Sequence, residues 1–189
     1  MKKSVLVILT AAIVCVAMQG CQQGAACKSQ ISTETASAGK PFEGRKITQI
    51  GILVEDAEQS AKLYAAVFGM DVPEIVLTDP VEISKAQYNG EKTTAQAKLA
   101  FFKFENTTIE LIQPVGGPST WKECLDRNGP GVHHIAFDVK GMDNYIELLD
   151  KKGARLVQRG EWAAYTGGQY SYVDTTPQLG VMLELLENF

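Results

Sequence analysis

The chain predicts an α+β fold in which two tandem βαβββ modules build one curved mixed sheet around a concave, metal-binding cleft. Three observations carry that expectation. From residue 46 onward the order of strand-like and helix-like periodicities occurs twice. Each half has one amphipathic helical run that a glycine stops, Gly69 in the first and Gly153 in the second. Polar residues interrupt the opening and closing strands of both halves at matching places.

In the first module, residues 47–54 form a short β-rich run. Asp56 then offers an N-cap to a helix over residues 57–68, whose Ala61, Leu63, Tyr64, Val67 and Phe68 recur at helical spacing. Three further strands are expected near residues 75–77, 98–104 and 107–114. The connector 116–131 carries Trp121 and Leu125 on a short helix. The second module opens with a strand over residues 132–139 and a helix over 142–152, with Tyr145, Ile146, Leu148 and Leu149 as its apolar face. Strands follow near residues 155–158, 169–174 and 180–186, with Gly167-Gly168 as a turn. One module alone would leave a face of its sheet bare, so pairing two covers the edges and leaves a pocket between them.

Residues 1–20 precede the fold. Lys2 and Lys3 form a basic region, residues 5–16 an apolar one too short to span a bilayer comfortably, and Met18-Gln19-Gly20-Cys21 a cleavage site. This arrangement resembles a bacterial lipoprotein signal, which implies lipidation at Cys21 and a location at the cell envelope, anchored on the extracytoplasmic side. Met18 and Gln19 depart from the commonest form of that signal. Residues 21–45 are polar, lack apolar periodicity and read as a flexible tether, leaving residues 46–189 as the domain, with modules at about 46–115 and 131–187. Cys27 and Cys124 do not make a disulfide framework, and the absence of a CxxC pair argues against a thiolate zinc site. With 45% hydrophobic and 21% charged residues the 189-residue chain can bury a real core. Its net charge of -4 and lack of a basic stripe exclude nucleic acid as a partner.

Side chains alternate between faces along a strand. In the first strand Ile50, Ile52 and Val54 share one face and Gln49 takes the other. In the second module's first strand Ile135, Phe137 and Val139 face the helix, His134 points away with Ala136, and His133 falls on the apolar face or its edge. Glu110 and Glu184 interrupt apolar closing strands, where a carboxylate is costly unless it is paired or holds a metal. Taken singly, each polar residue admits an ordinary structural account. Together they occupy matching positions: Gln49 and His134 in the first strand of each module, Glu110 and Glu184 in the last. One amide oxygen, one imidazole and two carboxylates suit a divalent metal such as zinc, nickel, cobalt or manganese.

The runs Gln49-Ile-Gly-Ile-Leu-Val, Thr108-Ile-Glu-Leu-Ile-Gln-Pro114, Gly129-Pro-Gly-Val-His-His-Ile-Ala-Phe137 and Gly180-Val-Met-Leu-Glu-Leu185 resemble the vicinal-oxygen-chelate superfamily, which includes glyoxalase I, bleomycin-resistance proteins and methylmalonyl-CoA epimerases. The His-His-Ile-Ala-Phe run is similar to that of the epimerases, whereas a Gln, Glu, His, Glu ligand set is similar to that of glyoxalase I. The resemblance implies a metal-dependent lyase or isomerase working through a metal-stabilised enediolate and carboxylate proton transfer, with Glu184 as base and Glu110 as its counterpart. Epimerases carry a second catalytic glutamate in the third strand. The matching position here is Lys98, which the resemblance places in the substrate pocket and which cannot simply replace a carboxylate. Trp162, Tyr165 and Tyr170 are further candidates for the cleft wall. The competing reading is a non-catalytic extracytoplasmic module that binds a small molecule or confers resistance. It draws support from export, since CoA thioesters and glutathione adducts are chiefly cytoplasmic. Ring-cleaving dioxygenases of this fold use two histidines and one carboxylate, and this site offers one histidine. The sequence leaves open whether the cleft forms within one chain or across a homodimer.

Overall fold

The structure is a computed structural model and describes residues 40–43, 45–164 and 167–189. The expected signal segment, Cys21, Cys27 and Tyr165 lie outside the described residues. In chain order the elements are β1 (Ile47–Leu53), α1 (Ala57–Phe68), β2 (Val76–Leu77), α2 (Val81–Ser84), β3 (Gln87–Tyr88), β4 (Glu91–Lys92), β5 (Gln96–Lys103), β6 (Thr108–Val115), α3 (Thr120–Asn128), β7 (Gly131–Asp138), α4 (Met142–Asp150), β8 (Arg155–Trp162), β9 (Gly168–Asp174), α5 (Thr176–Leu179) and β10 (Met182–Asn188).

Local chemistry accounts for the helix ends. The Asp56 side chain accepts the Gln59 N–H at 2.8 Å at the start of α1, and Gly69 ends that helix at φ 66°, a left-handed conformation open to glycine at little cost. The Ser119 side chain caps α3 in the same way through the Lys122 N–H. α4 has no such cap of its own: Gly141 sits at its start, and the carboxylate of Glu187, on β10, accepts the Gly141 and Met142 N–H groups. The Met142 N–H is the main reason the Glu187 carboxyl is held below the usual carboxylate range. Glu187→Gln is therefore expected to cost about 1 kcal/mol near neutrality. A carboxylate lowered in the folded state contributes above its ordinary pKa and loses that contribution as the pH falls. Thermal unfolding should thus separate the two proteins at pH 7 and bring them together at pH 3.

The strands form one sheet in the order β2-β5-β6-β1-β7-β10-β9-β8-β3-β4. Its middle is where the modules join: β1 pairs antiparallel with β7, and each pairs in parallel with the closing strand of its own module, β6 or β10. Helices α1 and α4 cover the outer face. Ala57, Ala61 and Ala65 of α1 pack on Ala100, Phe102 and Leu111, and Met142, Tyr145 and Leu149 of α4 on Val173, Leu183 and Leu185. The small side chains of α1 let it lie close to the sheet. Leu53, Ala97, Ile112, Trp121, Val157 and Tyr172 form a third cluster on the inner face, under the cleft.

Two features differ from the expectation. The tether was expected to reach residue 45, yet the Phe42 ring lies 4.9 Å from that of Phe137 and 5.5 Å from that of Tyr145, and Arg45 donates to the Tyr145 hydroxyl at 2.8 Å. The folded unit accordingly runs Lys40–Phe189. The second feature is a crossing segment. After β2 on the first module's edge, the chain passes through α2 to place the β3–β4 hairpin against β8, the outer strand of the second module. Asp79 accepts the Ala163 N–H at 2.9 Å, and Lys85 meets Glu161 at 2.6 Å, so the segment bridges the open ends of the two modules.

Candidate metal centre

The central strands β6, β1, β7 and β10 lie side by side, and their register defines two rows on the inner face. In one row Glu110 and His134 flank Gly51; in the other Gln49 and Glu184 flank Ala136. The polar side chains converge because the residue between each pair is small. At Gly51 this is absolute: a Cβ there would fall inside the His134 imidazole. A glycine within a strand can mark such a close approach. It is the signal that sequence reasoning passed over.

One donor atom each from Glu110, His134 and Glu184 lies within 4.8 Å of the other two. All three residues are buried, His134 at 0% exposure, Glu184 at 4% and Glu110 at 6%. The His134 Nε2 is 3.1 Å from Glu184 Oε2 and 3.4 Å from Glu110 Oε2. At that range the carboxylates attract a charge on the ring strongly, yet neither His134 Nε2 nor Glu184 Oε2 has an aligned hydrogen-bond partner. The atoms aim at a shared point rather than at one another. That geometry, with nitrogen and oxygen donors and no sulfur, fits a divalent cation.

The electrostatics agree. Burial by itself disfavours a charged His134, but Glu184 and then Glu110 outweigh it and raise the imidazole to about 10. Burial, reinforced by Glu184, raises the Glu110 carboxyl above its usual range even though His134 opposes this. A proton and a divalent cation therefore compete for the same Nε2.

His133 corrects one expectation. It was placed on the helix face or its edge, but the β1–β7 register slips between Gly51, opposite His134, and Ile52, opposite Val132, leaving His133 as the extra residue of a β-bulge. The bulge turns it inward beneath the site. There its Nδ1 is 3.1 Å from His134 Nδ1 and its Nε2 is 3.3 Å from the Thr120 hydroxyl. Burial, with the His134 charge adding to it, lowers His133 to about 3, so this ring is neutral and can accept the His134 Nδ1–H.

The cluster opens into a cavity of about 570 Å³, whose lining includes Gln49, Glu110, Glu184, Phe101, Trp121, Trp162, Tyr170 and Tyr172. Trp162 and Tyr170 thus stand where the sequence proposed. Tyr172 was not singled out, although it shares a strand face with Tyr170. Its ring centre is 5.2 Å from that of His134, and burial together with the Glu184 and Glu110 charges pushes its phenol well above the usual value, keeping it a donor. Lys98 is a second correction. Its neighbours Leu99 and Phe101 line the cavity, while Lys98 reaches Glu58 of α1 at 2.8 Å. Strand alternation within β5 puts it on the helix side, away from the site.

Residues 48–172 match the family described as the Glyoxalase/Bleomycin resistance protein/Dioxygenase superfamily. The chain is 29% identical over 143 residues to a mitochondrial methylmalonyl-CoA epimerase of Dictyostelium discoideum, covering 75% of this chain and 78% of that protein. It is 26% identical over 117 residues to an ethylmalonyl-CoA/methylmalonyl-CoA epimerase of Cereibacter sphaeroides, covering 61% and 77%. Among solved structures, a variant of the Streptomyces coelicolor methylmalonyl-CoA epimerase in complex with 2-nitronate-propionyl-CoA superposes with a TM-score of 0.52 at 22% identity, over 76% of this chain and 96% of that one. This last likeness concerns the fold.

Proposed function

The chain belongs to the Glyoxalase/Bleomycin resistance protein/Dioxygenase superfamily, and from that premise we propose that it is a divalent-metal-dependent isomerase that moves a proton at a carbon beside a carbonyl. The observation that carries this reading is the convergence of His134 Nε2 with the Glu110 and Glu184 carboxylates on one point at the floor of a cavity. Glu110, His134 and Glu184 would hold the cation, with the Gln49 amide oxygen, which lines the same cavity, as fourth donor. When bound, the cation would supply the positive charge that makes a C–H next to a substrate carbonyl acidic.

The chain's own residues do the rest. Glu184, at the end of its row, takes the proton from carbon on its carboxylate and returns it, with Glu110 as the counterpart across the imidazole. His133 and Thr120 hold the His134 ring from behind, an arrangement that typically affects metal affinity by about 10–100-fold. Tyr172 donates to negative charge developing in the cleft. Since Lys98 lies on the other face, it takes no part in proton transfer. The lyase chemistry of glyoxalase I starts from the same proton abstraction and belongs to the same proposal. We also propose that residues 1–20 export the chain and that Cys21 carries a lipid anchor, a reading supported by the sequence of that segment.

Metal analysis of the purified protein is the direct test. About one equivalent is expected in the wild type and little in His134→Ala or Glu184→Gln; full occupancy in both variants removes the assignment. Chelation should lower the melting temperature by about 5–10 °C, the value for a site held near a hundredfold above its Kd in a domain of this size. Deuterium incorporation in D2O should appear at the carbon next to the carbonyl of at least one of methylmalonyl-CoA, the methylglyoxal–glutathione hemithioacetal and 2-hydroxyacetophenone, and vanish in Glu184→Gln. Saturable ligand uptake without exchange would identify a binding module.

A further inference from the structure

We infer that the cleft accepts an uncharged or cationic aromatic molecule rather than a CoA thioester. This rests on the isomerase reading and names the substrate class of the same site. Three acids, Asp79, Asp138 and Glu161, line the cavity in addition to Glu110 and Glu184, and among the described residues no lysine or arginine lines it. A CoA thioester brings a pyrophosphate and a further phosphate, groups that proteins hold with arginine and lysine. Here the neighbouring cations are already engaged. Lys85 of the crossing segment is taken by Glu161 at 2.6 Å, and Arg159, two residues before Glu161 on β8, is shared between Gln169 at 3.3 Å and Asp143 at 3.6 Å. Asp79 accepts the Ala163 N–H at 2.9 Å.

The walls describe the ligand's body. Phe101, Trp121, Trp162, Tyr170 and Tyr172 give the cavity flat apolar surfaces, and Trp121 stacks with Tyr170 at a centroid distance of 6.1 Å. A volume of about 570 Å³ suits a compact aromatic molecule, its ring between those walls and its oxygens toward the Glu–His–Glu cluster. Asp79 and Asp138, which have no lysine or arginine partner among the ion pairs of the described residues, would repel phosphate and attract a cationic substituent on that ring. The export proposed for residues 1–20 points the same way.

Calorimetric titration of the full chain, with its metal content measured on the same sample, tests this. The probes are 2-hydroxyacetophenone, an uncharged aromatic with oxygens on adjacent carbons, and methylmalonyl-CoA. On the metal-loaded chain, 2-hydroxyacetophenone should bind at least tenfold more tightly, and Glu161→Lys should improve methylmalonyl-CoA binding at least fivefold. Equal or tighter binding of methylmalonyl-CoA by the wild type overturns the inference and leaves the isomerase reading standing. So does failure of 2-hydroxyacetophenone to bind a chain that holds its metal. A sample without metal instead counts against the metal centre, and is recognised by the content measurement alone.

Discussion

His134→Ala is expected to lower the unfolding free energy of the metal-free protein by about 3–5 kcal/mol, the cost of breaking a buried ion pair from one side. With the imidazole gone, Glu110 and Glu184 would face each other across a buried site with no cation between them. The variant's own stability should depend on pH in a defined direction. Burial and Glu184 already raise Glu110 above its ordinary 4.5, and removing His134, which lowers it, raises it further. A carboxyl raised in the folded state loses stability as pH climbs from its ordinary value through its raised one. The variant should therefore be less stable at pH 8 than at pH 5. Urea denaturation at the two pH values measures this, and a penalty below 1 kcal/mol at pH 8 would show that the three groups do not form one electrostatic unit.

Gly51→Ala should remove metal binding while leaving every donor in place. The added Cβ occupies the volume of the His134 ring, so the ring must rotate or β1 must part from β7. Either movement takes Nε2 off the point shared with the carboxylates. Overpacking of this kind costs about 1–3 kcal/mol, and metal content should fall as far as it does in His134→Ala. Gly131, opposite Leu53 in the same strand pair, is the control: nothing lies within 4 Å of a Cβ built there, and Gly131→Ala should hold its metal. Retention of a full equivalent of metal by Gly51→Ala would mean that His134 is not a ligand.

These two substitutions mark where sequence reading succeeds and where it stops. His134, Glu110 and Glu184 were legible because a polar residue in an apolar strand carries a cost that needs an explanation, and alternation assigns its face. The same rule misplaced His133, since a bulge shifts the face count by one and leaves no trace in residue type. For Lys98 the resemblance pointed to the pocket, while alternation with Leu99 and Phe101 sends it to the helix side. Gly51 looked like one more glycine; its meaning depends on a ring brought to it across the module junction. The β3–β4 hairpin escaped notice because two-residue strands have no period, and Gln87 and Tyr88 find their partners in Arg159 and Gln158.

By itself, the sequence determined the doubled module, its two main helices, the Asp56 and Gly69 caps of the first, and the three buried donors, because periodicity and local hydrogen bonding act over a few residues. The tertiary structure decided which strands lie side by side, and with them the convergence of Glu110, His134 and Glu184, the inward turn of His133 and the acidic, aromatic lining of the cavity. Those are properties of register between segments distant in the chain, and register is set by packing across the whole sheet rather than by any residue's own preference.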